Sequence, residues 1–231
     1  MAFDIAMEPV MAVGTLINRT ALPVFARVSA DKAVLTQSLT WSLRRLFLLT
    51  APLMVGLILA ADPLTALIHD DRGGSYAAAA LPLKLLAAAA LLRATSQLLT
   101  PLMMASGQPG LAARLSGTTL TLLSVGIVAV GVVFPDPRGI IAVAAVWVAI
   151  YPPLLIWGAR YLERTWSIAA SAAIRTFLLP AAGVAVMAAV VWTLRLLPGS
   201  ERPAVSVAIV VAAMAAAYGG LFRLDREKPV S

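Results

Sequence analysis

The sequence contains no cysteine and only one histidine, His69, in 231 residues. The absence of cysteine excludes disulfides, thiolate metal sites and cysteine nucleophiles. A single histidine argues against a histidine-based metal cluster and against a Ser-His-Asp triad. His69 stands beside Asp70 and Asp71 in a short polar turn, so it is interpreted as part of a solvated loop. The chain also lacks a P-loop and a GxSxG nucleophile elbow, and we predict no enzyme activity, no metal and no cofactor.

Charge is scarce as well, since charged residues make up 13% of the chain, against roughly 25% in a typical soluble domain. Apolar residues make up 61%, and the mean hydropathy is +0.91. Too few polar residues remain to cover the surface of a soluble domain, and a disordered chain is excluded for the same reason. The net charge of +7 is interpreted as cationic loops that face anionic membrane lipids, not as a nucleic-acid site. These features predict an all-α, polytopic membrane helix bundle.

Charges and turn residues divide the chain into seven apolar segments. Because the breaks between them are short, consecutive helices are expected to be antiparallel neighbours within a single transmembrane domain spanning 1–231. The segments are A (2–20), B (44–68), C (76–105), D (115–134), E (139–158), F (175–197) and G (203–222).

Lysine and arginine counts predict the orientation. The A–B, C–D and E–F loops and the C-terminus together carry twelve basic residues, whereas the opposite side carries four. The side with twelve is expected to be cytoplasmic, which places the C-terminus inside and Met1 outside. Segment A carries Asp4, Glu8 and Pro9 and has no basic region typical of a secretory signal. We therefore expect residues upstream of Met1 to be missing, and we interpret Asp4 and Glu8 as outer-interface groups.

Prolines and small residues occur in most of these segments. Prolines inside apolar segments predict kinked helices. Kinked helices suit a protein that rocks between states, but they also occur in rigid membrane proteins. Small residues permit close helix packing, and the candidates are Gly126 and Gly131 in D, the alanine runs in C, and Gly219 and Gly220 in G.

Segment C is the one predicted helix with charge in its interior. Ser96, Gln97 and Thr100 follow Arg93 at spacings that place all four on one helix face. An arginine at mid-membrane is costly unless it faces protein or water. Two interpretations remain open: a cavity guanidinium that binds phosphate or pyrophosphate, or a structural arginine paired with a carboxylate or a carbonyl of another helix.

Other polar or aromatic residues carry weaker signals. Lys84 lies nearer the outer end of segment C, where it could line a substrate pathway or extend to the interface. Trp41, Trp157, Tyr161 and Trp192 lie close to predicted helix ends and are interpreted as interfacial anchors.

The region from Ile17 to Ile68 resembles the bacterial flippases of lipid-linked oligosaccharides and polysaccharides. The resembling features are a Pro-x-Phe-x-Arg turn (Pro23, Phe25, Arg27), a helix with a central Pro52 and Gly56, and a helix end of the form LMMASGQP from Leu102 to Pro109. The resemblance covers about residues 3–115. It places the chain in the superfamily that also holds the lipid II flippase and the multidrug and toxin extrusion transporters.

The resemblance implies two lobes of six helices around a cationic cavity, often with two extra helices at the C-terminus. Residues 1–158 would form part of the C-terminal lobe and residues 175–222 the extra pair, while the N-terminal lobe would be missing. It implies a membrane transport protein that moves undecaprenyl-pyrophosphate-linked oligosaccharides across the bacterial inner membrane, as in O-antigen, exopolysaccharide or capsule biosynthesis. Arg93, Gln97, Thr100 and Lys84 are the candidate pathway residues.

Three other functions compete with this one. A lipid II or multidrug exporter of the same superfamily fits the Pro23–Arg27 and Met103–Pro109 regions less well. A polymerase or ligase of the same pathway is expected to carry a large outer loop with arginine and histidine, whereas every outer connection here is short. A non-transporting fragment or accessory membrane subunit remains open.

Overall fold

The computed structural model describes residues 23, 25–27, 31–68, 76–134, 138–166, 170–197, 199–200 and 202–226. These residues form seven α-helices and one short 3-10 helix, and none of them lies in a β-strand. The α-helices are α1 (Lys32–Leu67), α2 (Ala80–Ser96), α3 (Leu99–Ala105), α4 (Pro109–Val133), α5 (Arg138–Trp166), α6 (Ala170–Leu194) and α7 (Pro203–Arg226), with the 3-10 helix at Tyr76–Ala79.

Helix α1 begins twelve residues before the predicted start of segment B. Asp31 caps it, because its carboxylate accepts hydrogen bonds from the backbone N–H groups of Ala33 at 2.8 Å and Val34 at 3.3 Å. The added turns are held by packing, since Leu35 and Leu39 on one face are almost fully buried. With 36 residues the helix is about 54 Å long, well beyond the roughly 30 Å hydrocarbon core of a bilayer.

Segment C is not the single helix that the sequence predicts. It consists of the 3-10 helix, α2, a turn at Gln97 and Leu98, and α3. Pro101 has no N–H to donate to the carbonyl of Gln97 four residues earlier, and its ring crowds that carbonyl. The interruption therefore lies where the missing hydrogen bond leaves the helix weakest, and it separates Thr100 from the helix that carries Arg93.

The other described segments agree with the sequence to within a few residues at most ends. Segments D, E, F and G correspond to α4, α5, α6 and α7, although α4 and α6 begin earlier and α5 ends later than predicted. Segment A, with Asp4, Glu8 and Pro9, lies outside the described residues, as do His69, Asp70 and Asp71.

Helix α1 is the centre of the bundle. It packs against α2 on one side and against both α6 and α7 on another, while α5 packs along α2 and carries α4 on its far side. Helices α5 and α6 make few contacts among the described residues. The largest buried cluster joins α1, α2 and the preceding Phe25 with Ala144 of α5.

Five helical segments are long and apolar enough to cross a membrane. They are Ala33–Leu67, Tyr76–Ala105, Pro109–Val133, Gly139–Thr165 and Pro203–Leu221, with a shorter apolar helix at Leu178–Leu194. The described chain is thus an all-α bundle of the membrane type, as predicted. Its division into part of a lobe (1–158) and an extra pair (175–222) stays a prediction.

Glycines mark where helices approach closely, but only some of the predicted ones do so. A Cβ on Gly126 would lie 2.7 Å from Val146 Cγ1 of α5, and one on Gly158 would lie 2.5 Å from Leu99 Cδ1 of α3. A Cβ on Gly131, Gly219 or Gly220 would meet nothing within 4 Å. These three face outward, so the expectation that they pack helices together is wrong in the described structure.

Candidate functional site

Arg93 lies on the face of α2 that packs against α5. Its guanidinium carbon is 5.9 Å from the centre of the Trp147 ring, at the outer limit of a cation–π contact. Both residues are half-buried, and Trp147 packs against the main buried cluster. The aromatic face partly replaces water around a charge that is otherwise costly in an apolar span.

Tyr151, one helical turn after Trp147, completes this wall of the site. It is 3% exposed and lies within electrostatic range of the Arg93 charge. Within the described residues no carboxylate forms an ion pair with Arg93, and no carbonyl of another helix accepts a hydrogen bond from it. The guanidinium donors of Arg93 are therefore not taken up by another described helix.

The three polar residues after Arg93 have different surroundings. The Ser96 hydroxyl donates to the Arg93 carbonyl at 2.8 Å, so it is bound within its own helix. The Gln97 side-chain oxygen is buried, and no described donor reaches it. Thr100 is half-buried on α3, beyond the turn. Of these, Gln97 offers a buried acceptor one turn from Arg93 that no described donor uses, whereas buried polar groups normally have a partner.

Lys84 is held by a carboxylate. Its Nζ lies 2.8 Å and 2.7 Å from the two carboxylate oxygens of Asp62 on α1. The side chains are 34% and 62% exposed, so the ion pair lies at the edge of the bundle near the C-terminal end of α1. Lys84 lies nine residues before Arg93 on the same helix, which separates it from Trp147 and Tyr151.

Sequence reasoning missed Asp62. A carboxylate inside an apolar segment was a usable signal, because buried or membrane charges are normally paired and Lys84 is the nearest cation on the next segment. In the described structure the end of α1 lies beside the start of α2, which brings Asp62 and Lys84 together.

The aromatic residues near helix ends have specific neighbours. Trp157 and Tyr161 stack with ring centres 5.7 Å apart, and the Tyr161 hydroxyl donates to the Gln108 side-chain oxygen at 2.9 Å. The Arg45 guanidinium lies 4.2 Å from the centre of the Trp41 ring. The Tyr161 contact ties α5 to the turn before α4, where Gly107 adopts a φ of 74°.

Candidate metal ligands do not cluster in the part of the chain that the structure describes: no group of three His, Asp or Glu residues lies close enough to hold an ion. At the α2–α5 contact, the Arg93 guanidinium lies near the Trp147 ring and within electrostatic range of the Tyr151 hydroxyl. Such a set suits an anionic or hydroxyl-rich ligand better than a cation.

A comparison with family models gives a match to the first third of the chain. A family model described as polysaccharide biosynthesis protein matches residues 1–72, which include α1 and the Phe25 region but not Arg93. No curated protein and no solved structure matches the chain. The match supports a role in polysaccharide biosynthesis, and together with the apolar helices it indicates a membrane protein.

Proposed function

We propose that this chain is the C-terminal part of a flippase for undecaprenyl-pyrophosphate-linked oligosaccharide units in the bacterial inner membrane. The observation that carries the proposal is Arg93, a permanent charge within an apolar span, set over an aromatic ring and without a carboxylate partner among the described residues. A forked guanidinium is suited to bind pyrophosphate oxygens through two parallel hydrogen bonds. The match of residues 1–72 to polysaccharide biosynthesis proteins supports the pathway.

The neighbouring groups are assigned complementary roles. Gln97 supplies a buried acceptor for a sugar or phosphate hydroxyl, and Thr100 extends the polar path beyond the turn. Lys84 contributes less than Arg93 to substrate binding, because Asp62 neutralises its charge. The Lys84–Asp62 pair instead holds α1 to α2 near the outer end of the path. The chain acts as a transporter component and not as an enzyme.

The proposed partners are the lipid-linked oligosaccharide, membrane lipids and an N-terminal lobe. In the flippases that the sequence resembles, two lobes rock around a central cavity, so the α2–α5 wall would face a second lobe. The C-terminus is proposed to be cytoplasmic. A lipid II or multidrug exporter is the alternative within the superfamily, and an accessory subunit or fragment without transport is the alternative outside it.

Binding of a headgroup probe to the purified chain tests the proposal. In detergent or nanodiscs, we expect geranylgeranyl pyrophosphate to bind more tightly than geranylgeraniol, which has the same chain type without the charge. Arg93→Ala should weaken pyrophosphate binding on the order of 10-fold or more, because a hydrogen bond to a charged group contributes about 1.5–3 kcal/mol. The alcohol should be unaffected.

Arg160→Ala is the matched control, since Arg160 is an exposed arginine on α5. It should leave both affinities unchanged. Equal binding of the pyrophosphate and the alcohol by the folded wild type would contradict a headgroup site. Preferred binding of a lipophilic cation would favour the drug-export alternative.

A further inference from the structure

Helix α1 contains two prolines in its interior, Pro52 and Pro63, yet continues as a helix through both. Each proline lacks the N–H that would bond the carbonyl four residues earlier, at Leu48 and Leu59. Such positions are weak points, where a helix bends unless other groups restore the lost contacts. On the side of α1 away from α2, the groups that contact α1 at these places come from α6, α7 and the turn between them.

The carbonyl freed by Pro63 has a replacement donor. The Arg195 guanidinium, in the turn after α6, donates to the Leu59 carbonyl across 136 residues of sequence. The Arg195 Nε is buried and has no hydrogen-bond partner among the described residues, so part of this half-buried guanidinium is removed from water. The turn is itself held, since the Ser200 hydroxyl donates to the Arg195 carbonyl at 2.6 Å.

A second contact lies beside Pro52. The Tyr218 hydroxyl of α7 donates to the Leu49 carbonyl, three residues before Pro52. This carbonyl lies one residue after the one that Pro52 leaves without its helical donor. The phenol of α7 therefore contacts the α1 backbone at the level of the proline.

Between the two prolines, α7 touches the backbone of α1. A Cβ added to Gly56 would collide with the Met214 side chain of α7. Ala60 of α1 and Met187, Val191, Val210 and Ala213 of α6 and α7 form a buried cluster around this contact. The pair α6–α7 thus meets α1 at three successive levels, at Leu49, Gly56 and Leu59.

We propose that the α6–α7 pair is a clamp that holds both proline sites of α1 in one conformation. Arg195 and Tyr218 are its positioning residues: Arg195 donates to the carbonyl that Pro63 leaves free, and Tyr218 donates to a carbonyl beside Pro52. Asp62 directly precedes Pro63, so the clamp also fixes the carboxylate that binds Lys84. Release of the clamp would let α1 flex at both prolines and would displace the ion pair. This inference does not depend on the transported substrate.

Distance measurements along α1 test the clamp. Because the chain has no cysteine, Gln37→Cys and Leu67→Cys place two spin labels at exposed positions on either side of both prolines. They are 30 residues apart, which is about 45 Å along a straight helix. We expect one narrow distance distribution in the wild-type background. Tyr218→Phe, which removes a single oxygen, and Arg195→Met should each broaden it.

Tyr76→Phe and Arg202→Met are the matched controls, because both side chains are exposed. They should leave the distribution narrow. If Tyr218→Phe and Arg195→Met also leave it narrow in folded protein, the prolines and apolar packing alone set the shape of α1 and the clamp is overturned.

Pro63→Ala tests whether Arg195 acts through its hydrogen bond to the Leu59 carbonyl or only through packing. Alanine restores an N–H at position 63 that can bond the Leu59 carbonyl, so Arg195→Met should then cause little further broadening. Equal broadening by Arg195→Met with proline or alanine at position 63 would show that Arg195 acts through packing, and it would overturn its role in the clamp.

Discussion

Lys84 of α2 donates to both carboxylate oxygens of Asp62 in α1, at 2.8 Å and 2.7 Å. The two helices run in opposite directions, and this pair joins them near the end where the chain turns. The ion pair accounts for two of the charges within the apolar segments and leaves Arg93 as the interior charge of α2.

A double-mutant cycle measures the strength of this pair. We expect Lys84→Met and Asp62→Asn each to lower the free energy of unfolding in detergent, and the double variant to lose less than the sum of the two. The coupling should be about 0.2–1 kcal/mol, because both side chains are partly exposed. Additive losses would show that the 2.7 Å contact contributes no stability.

Two glycines of α4 provide a test of helix packing. Gly126→Leu should destabilise the α4–α5 contact by about 1–3 kcal/mol, because its side chain would collide with the stiff, β-branched Val146. Gly131→Leu is the control on the same helix, since a Cβ there meets nothing within 4 Å. Unfolding titrations of the two variants should therefore differ clearly; equal stability would contradict the close approach at Gly126.

Some of these features could be predicted from the sequence. Hydropathy predicts the helical class and most segment centres, because burial in lipid requires long apolar runs. The interruption at Gln97 was predictable in principle, since Pro101 removes its backbone donor. Which of Gly126 and Gly131 meets a neighbour depends on how α4 is rotated, and a segment that is apolar on every face does not encode that rotation.

The contacts between distant segments could not be predicted. Arg195 is 136 residues from Leu59, and Tyr218 is 169 residues from Leu49. Both acceptors are backbone carbonyls, which carry no residue-specific signal. The sequence alone identifies Arg93 as a candidate site residue, because a charge in the middle of a membrane span costs free energy. Its neighbours Trp147 and Tyr151 could not be identified, because they depend on how α2 packs on α5.

The charge distribution predicts a cytoplasmic C-terminus and external turns at Asp70–Gly74 and Ser200–Arg202. Single cysteines placed in those turns should react with an impermeant thiol reagent in intact cells with a permeabilised outer membrane. A cysteine at Lys228 should react only after the inner membrane is opened. Labelling at Lys228 but not at the exposed position 202 would reverse the predicted orientation.

Export measurements test the two-lobe proposal. Expressed alone in a flippase-deficient cell, residues 1–231 should fail to restore polysaccharide export, because one lobe cannot alternate access around a central cavity. Co-expression with an N-terminal flippase lobe should restore it. Export by residues 1–231 alone, with membrane insertion confirmed, would contradict the requirement for a second lobe.

Arg93 distinguishes a transport role from a structural one when expression and export are measured together. In the export-competent assembly, Arg93→Ala should abolish most export while the inserted protein remains at normal or higher amounts, because a costly charge has been removed from the span. Arg93→Lys keeps the charge but loses the forked donor geometry, so it should retain part of the activity.

Trp147→Leu completes this test, because it removes the ring under the guanidinium and preserves an apolar side chain. If the ring orients Arg93 toward the substrate, Trp147→Leu should reduce export less than Arg93→Ala and should add little to it in the double variant. A structural role predicts the opposite pattern, in which Arg93→Ala lowers the folded yield and export per folded molecule is unchanged. Normal yield with normal export would assign Arg93 to neither role and would leave it as a side chain that reaches the membrane interface.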